Sequence, residues 1–261
     1  MKIAGIQLDI AWENPEENFR RADSLAREAL LQGARIIVLP EMFATGFSMN
    51  VSSLSAAAPR IKGFLQSLAR ELSIIVVGGV AEALPDDPLG RGCNLALVFG
   101  PDGGLISRYQ KIHPFSYGHE QKYYAGGTSL GAFVADDLRI TPFVCYDLRF
   151  PEIFRAAADR SDLMLVIANW PAARFHAWRT LLMARALDCQ CFVLGVNRVG
   201  QGGGLDYPGG TMLVDPMGAI IQEAAPGQGF VLGNVSPEDV TAVRDRFSFL
   251  KDRKPDVYRR L

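Results

Sequence analysis

Short apolar runs alternate with amphipathic stretches along this chain, and the pattern starts at its second residue. Residues 2–8, 35–39 and 74–79 are runs of aliphatic and β-branched residues too short for buried helices, so they predict buried strands. Between the first two, Phe19, Ala22, Ala26, Ala29 and Leu30 recur at helical spacing. Asn14 is placed to cap that helix, with Pro15 at its first position and Glu17 at its third, and Gly33 to stop it. A second helix is expected over residues 59–72, opened by Pro59. Residues 94–99 and 105–109 flank the turn sequence PDGG and predict a hairpin. The second half predicts strand 138–145, helix 151–158, strand 163–168, helix 173–188 and strand 191–196. Strands at 211–214, 219–222 and 229–234 and a helix at 237–246 complete the pattern. Buried strands alternating with helices imply an α/β layered fold, and the hairpins imply mixed sheets. With no repeat and no low-complexity linker, one domain over residues 1–261 is expected.

Charge and composition narrow the function classes. Lys+Arg number 27 and Asp+Glu 28, a net charge of −1, which argues against a nucleic-acid partner and against a polybasic membrane binder. No apolar stretch reaches the roughly 18 residues of a membrane span. The first apolar run is short and is followed by Asp9, Glu13 and Glu16, unlike a signal peptide. Four cysteines (Cys93, Cys145, Cys189 and Cys191) are too few for a disulfide scaffold and include no C-x-x-C pair. They read as small buried hydrophobes in a reducing compartment, so a cytoplasmic location is expected. His113, His119 and His176 are the only histidines, and a surface or structural role is the simpler reading of each. No G-x-S-x-G, Walker A or H-E-x-x-H motif is present, and the GQGGG at 200–204 does not follow a strand in the dinucleotide-binding pattern. Neither a metal nor a cofactor is expected.

Three reactive residues fall at the ends of expected strands, where α/β folds place their chemistry. Glu41, in LPEMFATGF, would be partly desolvated there and suited to act as a base; its alternative is a solvated loop carboxylate. Lys111, in YQKIHPF, could hold an oxyanion or merely lie on the surface. Cys145, in CYDLRFPE, is lifted onto a turn before a helix N-terminus, which would favour its thiolate. The Tyr146 N–H of that turn could face a developing oxyanion. The alternative is a buried structural cysteine. A nucleophilic thiol needs a base, and the residues alone leave two sources open: one of the three histidines, or Glu41 with Lys111.

As a set, the three motifs resemble the Glu, Lys and Cys signatures of the nitrilase superfamily of carbon–nitrogen hydrolases. GHEQKYYAGG resembles the segment that carries the family's additional Glu, here Glu120. ANWPAARFHAWRTLLMARALDCQCFVLGVNRVG and YPGGTMLVDPMG resemble its later segments, and the likeness runs from the first strand to about Ser236. The CYDLRFPE form and the short C-terminus are similar to ω-amidases, which act on small monoamides of dicarboxylic acids.

The resemblance implies a Glu41–Lys111–Cys145 triad working through a thioester without metal or cofactor, with Glu120 orienting Lys111 or the substrate. It also implies a four-layer α-β-β-α sandwich of two mixed sheets, and a homodimer joined through the helices that follow Cys145 and Trp170. Arg149 is a candidate for pairing with a substrate carboxylate, with an internal salt bridge as its alternative. Tyr146, Trp170, Phe43 and Tyr117 are expected to line the pocket. An amidase for N-carbamoyl compounds or deaminated glutathione, and a non-catalytic binding member of the fold, are the competing readings.

Overall fold

The computed structural model describes residues 1–260. Two six-stranded mixed sheets stack face to face. The first has the order β14 (Gly229–Asn234), β1 (Lys2–Gln7), β2 (Ile36–Val38), β3 (Ile75–Ala83), β4 (Gly92–Phe99) and β5 (Leu105–Gln110). The second has the order β13 (Ile220–Glu223), β12 (Met212–Val214), β9 (Phe192–Asn197), β8 (Leu163–Ala168), β7 (Leu138–Val144) and β6 (Phe133–Ala135). Within each sheet the central strands are parallel (β1–β2–β3 and β7–β8–β9), and antiparallel strands flank them.

The continuous apolar runs have a simple cause. In β2, Ile36 and Val38 point into the core between the sheets, while Ile37 points outward toward the helices. The same period of two divides Val77 from Val76 and Val98 from Leu97. A strand covered on both faces needs apolar residues at every position. The outer face of the first sheet is covered by α1 (Pro15–Leu31) through Ala22, Ala26 and Ala29, and by α2 (Val51–Leu72) through Ala58, Ile61 and Leu65. The second sheet is covered by α3 (Pro151–Ala157) and α4 (Phe175–Cys189) through Phe154, Trp178 and Leu182. The result is the four-layer α-β-β-α sandwich. At Gly5 the sheets approach so closely that a Cβ would lie 3.0 Å from Leu194 and Val196.

Most expected elements form within a residue or two of their predicted bounds. Asn14 caps α1, accepting a hydrogen bond from Glu17 N. α2 differs: it begins at Val51, eight residues before the expected start, with Asn50 as its cap and Pro59 inside it. Leu54 and Ala58 continue the buried stripe of Ile61 and Leu65, while Pro59 sits on the exposed side, where its ring meets solvent. Burial of that stripe outweighs the missing Pro59 N–H. A further hairpin, β10 (Val199–Gly202) and β11 (Leu205–Pro208), was not expected from the sequence. GQGGG makes it: Gly203 and Gly204 take φ of 57° and 78°, positive φ at both central turn residues, as a two-residue hairpin loop of type I′ requires. The C-terminal segment adds α5 (Pro237–Arg246), as expected, and a short α6 (Pro255–Tyr258). No helix is long and apolar enough to cross a membrane among the described residues.

Candidate active site

Four strand ends converge on one point. Glu41 follows β2, Lys111 follows β5, Cys145 follows β7 and Asn169 follows β8. Two of these turns are bent through positive φ at non-glycine residues: 43° at Met42, next to Glu41, and 48° at Cys145 itself. Such backbone costs of order 1–3 kcal/mol and persists only where the surroundings impose it. Asp147 supplies part of that constraint at the Cys145 turn. Fully buried, its carboxylate accepts hydrogen bonds from Val144 N at 3.1 Å, Tyr109 Oη at 2.7 Å and His113 N at 3.0 Å.

Glu41 and Lys111 are buried side by side. Lys111 Nζ lies 3.1 Å from Glu41 Oε1 and 2.8 Å from Glu120 Oε2. Glu41 Oε2 accepts from the Asn169 backbone N–H at 2.9 Å, and Asn169 Nδ2 donates to the Glu41 carbonyl at 2.6 Å. Glu120 is held by the Phe115 N–H as well. Isolated charges at such depth would be very costly, but here each has several charge-assisted partners. Burial by itself would lower the Lys111 pKa; the adjacent Glu120 and Glu41 carboxylates outweigh it and hold the ammonium above its ordinary range. Burial raises Glu120, with Lys111 opposing and Glu41 adding to the rise.

Cys145 lies at the wall of a cavity of about 230 Å³. Burial pushes its thiol well above the ordinary value, the Glu41 carboxylate adds to the rise, and Lys111 offsets it only in part. The expectation of a favoured thiolate is therefore overturned. A turn of 3-10 helix, Cys145–Arg149, separates the thiol from the first turn of α3, so it does not sit at that helix N-terminus. A neutral resting thiol makes a neighbouring base necessary. None of the three histidines lines the cavity. His113 is engaged through Nδ1 by Asp147 at 2.9 Å and stacks on Phe150, and His119 and His176 are exposed. The carboxylate beside Lys111 is the base that the geometry offers.

The expected pocket residues divide. Tyr146, Arg149 and Trp170 line the cavity. Trp170 is fixed by Asn197, whose side chain accepts from Trp170 N at 2.7 Å and donates to its carbonyl at 3.0 Å. Phe43 and Tyr117 do not line it. Phe43 is wholly buried on the helix side of the first sheet, packed with Phe19 and Phe64, because the turn at Met42 sends it away from the cavity. Tyr117 is 82% exposed; it sits on a short 3-10 turn, Ser116–Gly118, with its ring directed to solvent beside Phe115.

The structure adds residues that sequence reasoning missed. Arg174 also lines the cavity, and β11 contributes Leu205 and Tyr207. Arg149 stacks 5.2 Å from the Trp170 ring centre and Arg174 4.9 Å from that of Phe115. Neither guanidinium has a carboxylate partner among the described residues, so the internal salt bridge considered for Arg149 does not form. For Arg174 the available signal was its place just after Trp170, in the segment that follows β8. For Asn94 it was a lone amide inside an apolar strand, and for Asn169 its place directly after β8. No three His, Cys, Asp or Glu side chains converge on a metal-sized site among the described residues.

Comparison with known proteins agrees with this arrangement. The chain matches the carbon–nitrogen hydrolase family model over residues 2–245, somewhat beyond the Ser236 limit of the motif likeness. It is 37% identical over 254 residues to the omega-amidase YafV of Yersinia enterocolitica, covering 97% of this chain and 96% of that protein. It is 29% identical to the 2-oxoglutaramate amidase of Bacillus subtilis, covering 98% of each. Its fold superposes with a TM-score of 0.86 on XC1258 of Xanthomonas campestris, a CN-hydrolase superfamily protein solved with an arsenic adduct in its active site, at 32% identity and 97% coverage of both chains. The chain belongs to the carbon–nitrogen hydrolases of the nitrilase superfamily, within their amidase branch.

Proposed function

We propose that this enzyme hydrolyses the terminal amide of a small dicarboxylic acid monoamide to the dicarboxylate and ammonia, with Glu41, Lys111 and Cys145 as its catalytic residues. The observation that carries the substrate class is the pair of guanidiniums, Arg149 and Arg174, that face the cavity of Cys145 without a carboxylate partner among the described residues. A substrate carboxylate completes them through charge-assisted, bidentate hydrogen bonds. The cavity, about 230 Å³, lies below the roughly 300–1,000 Å³ typical of drug-sized ligands, so it suits a short substrate. The names of the two amidases above point the same way.

The chemistry follows from the neutral thiol. Glu41 removes the Cys145 proton as Sγ attacks the amide carbon, forming the S–C bond. The carbonyl oxygen becomes an oxyanion, held by the Lys111 ammonium and the Tyr146 N–H. The intermediate collapses with cleavage of the C–N bond, and Glu41 returns its proton to the departing ammonia. Water, deprotonated by Glu41, then attacks the thioester; the second tetrahedral intermediate expels the thiolate, which recovers its proton from Glu41. Glu120 takes no proton in this sequence; it holds Lys111 in place.

We assign the whole chain to one domain, working in the cytoplasm as a homodimer through the outer faces of α3 and α4. The half-exposed Leu187 on α4 and the need for a free thiol support that assignment. Light scattering of the purified protein at twice the chain mass, 28.5 kDa, tests the dimer. The test of function is ammonia release across monoamides of dicarboxylic acids, N-carbamoyl acids, neutral amides and nitriles. The monoamides should give the highest kcat/KM. A preference for nitriles or carbamoyl compounds would overturn the substrate assignment, and full activity in Glu41→Gln would overturn the base.

A further inference from the structure

Asn94 lies in the middle of the catalytic charges yet takes no part in the sequence of steps above. It is the one amide in β4, an otherwise apolar strand, and is 1% exposed. Its Nδ2 donates to Glu41 Oε1 at 2.7 Å and to Glu120 Oε1 at 3.0 Å. Lys111 Nζ touches the same two oxygens, at 3.1 and 3.0 Å. Two carboxylate oxygens and two nitrogens thus form a closed ring of four hydrogen-bonded atoms. The Asn94 backbone carbonyl also accepts the Lys111 N–H at 2.9 Å, so the same residue sets where the lysine leaves its strand. Meanwhile Asn94 Oδ1 is buried with no partner. A buried acceptor left unsatisfied costs about 1–3 kcal/mol, so the side chain is tolerated at a cost to stability.

We propose that Asn94 is a positioning residue that bridges Glu41 to Glu120, aligning Glu41 for proton transfer and opposing uptake of a proton by the carboxylate pair. The proposal rests on the assignment of Glu41 as the base. Two carboxylates beside one ammonium would carry a net negative charge in a dry site, which favours protonating one of them. The amide hydrogens of Asn94 counter that. Each stabilises a charged oxygen without adding a charge of its own, and both point at acceptors that would otherwise repel each other across the ring. The titratable groups around Glu41 are Lys111, Glu120, Cys145, Tyr124 and Tyr207. Burial raises the thiol and both phenols, Tyr207 to about 12, so these three are neutral near neutral pH. Lys111 stays charged there.

The pH dependence of kcat/KM for glutaric acid monoamide tests this in the wild type, Asn94→Ala and Asn94→Asp. The acid limb of kcat/KM reports the base in the free enzyme. Loss of one donor to the carboxylates should move that limb up by about one pH unit in Asn94→Ala. Asn94→Asp keeps the side-chain volume but adds a third carboxyl and should move it further, with the basic limb in place in both. Activity that falls with an unmoved acid limb would reduce Asn94 to a structural residue and overturn the proposal, as would an unchanged profile. The pH dependence of Cys145 alkylation by iodoacetamide, read by mass spectrometry on the Cys145 peptide, follows the same limb without any substrate. It separates failure of this inference from an error in the substrate class, and a wild-type rate with no acid limb at all would instead count against Glu41 as the base.

Discussion

The buried cluster and the cavity rim treat charge in opposite ways. Glu41, Glu120 and Lys111 are buried, and the protein supplies every counter-charge and donor they have. Arg149 and Arg174, a short way along the same cavity, are stacked on aromatic rings, and no carboxylate among the described residues answers them. Both arrangements cost free energy, but to different ends. A self-contained cluster is fixed before substrate arrives, as a group that must move protons in a defined direction needs to be. An unanswered guanidinium, held flat by a cation–π contact worth about 0.5–2 kcal/mol, leaves its donors for a ligand. The one region fixes the reaction, and the other selects what undergoes it.

Breaking the cluster should have the largest effect. Cys145→Ala should reduce turnover by at least about 10⁴-fold while the melting temperature stays near that of the wild type, because the residue bears no structural hydrogen bond that the cluster needs. Comparable hydrolysis in that variant would sink the thioester mechanism. Next comes the support behind the cluster. Phe43→Ala empties a fully buried site between Phe19 and Phe64 and should cost about 3–5 kcal/mol of stability, measured by denaturant unfolding. A rise in KM without loss of stability would return Phe43 to the pocket.

The rim should respond more mildly and selectively. Arg149→Ala or Arg174→Ala should each raise KM for an acidic amide by about 10–100-fold, the loss of one charge-assisted interaction, and change a neutral amide by less than about threefold. An equal loss on both substrates would erase the contrast between the two regions. The smallest effect belongs to Tyr117→Ala: with its ring in solvent, steady-state kinetics should stay within about twofold of wild type.

How much of this was legible beforehand depends on the kind of signal. Strands show because a strand covered on both faces must be apolar throughout, and helices because Asn14 and the alanine stripe of α1 act locally. Glu41 and Cys145 show because each closes such a run, and Lys111 because it ends the second strand of the PDGG hairpin. Pro59 misled, because its local stop signal is weaker than the buried stripe that passes beneath it. Phe43 and Tyr117 misled for a related reason. Nearness along the chain to a reactive residue says nothing of which way a turn throws the ring, and φ at Met42 decided that for Phe43.

What the sequence by itself determined is the set of elements, their order, the reactive residue at the end of each strand and, through motifs shared with carbon–nitrogen hydrolases, the chemistry available to them. These follow from local periodicity and from residues that stand out against an apolar background. Only the tertiary structure decided that the thiol rests neutral, that no histidine reaches it, that Asn94 ties two carboxylates together and that two arginines face the cavity stacked on aromatic rings. Each of those facts depends on burial and on contacts between residues distant in the chain, 53 and 26 positions for the two that Asn94 makes. Desolvation and hydrogen-bond geometry act through space, and they exist only once the two sheets have closed on each other.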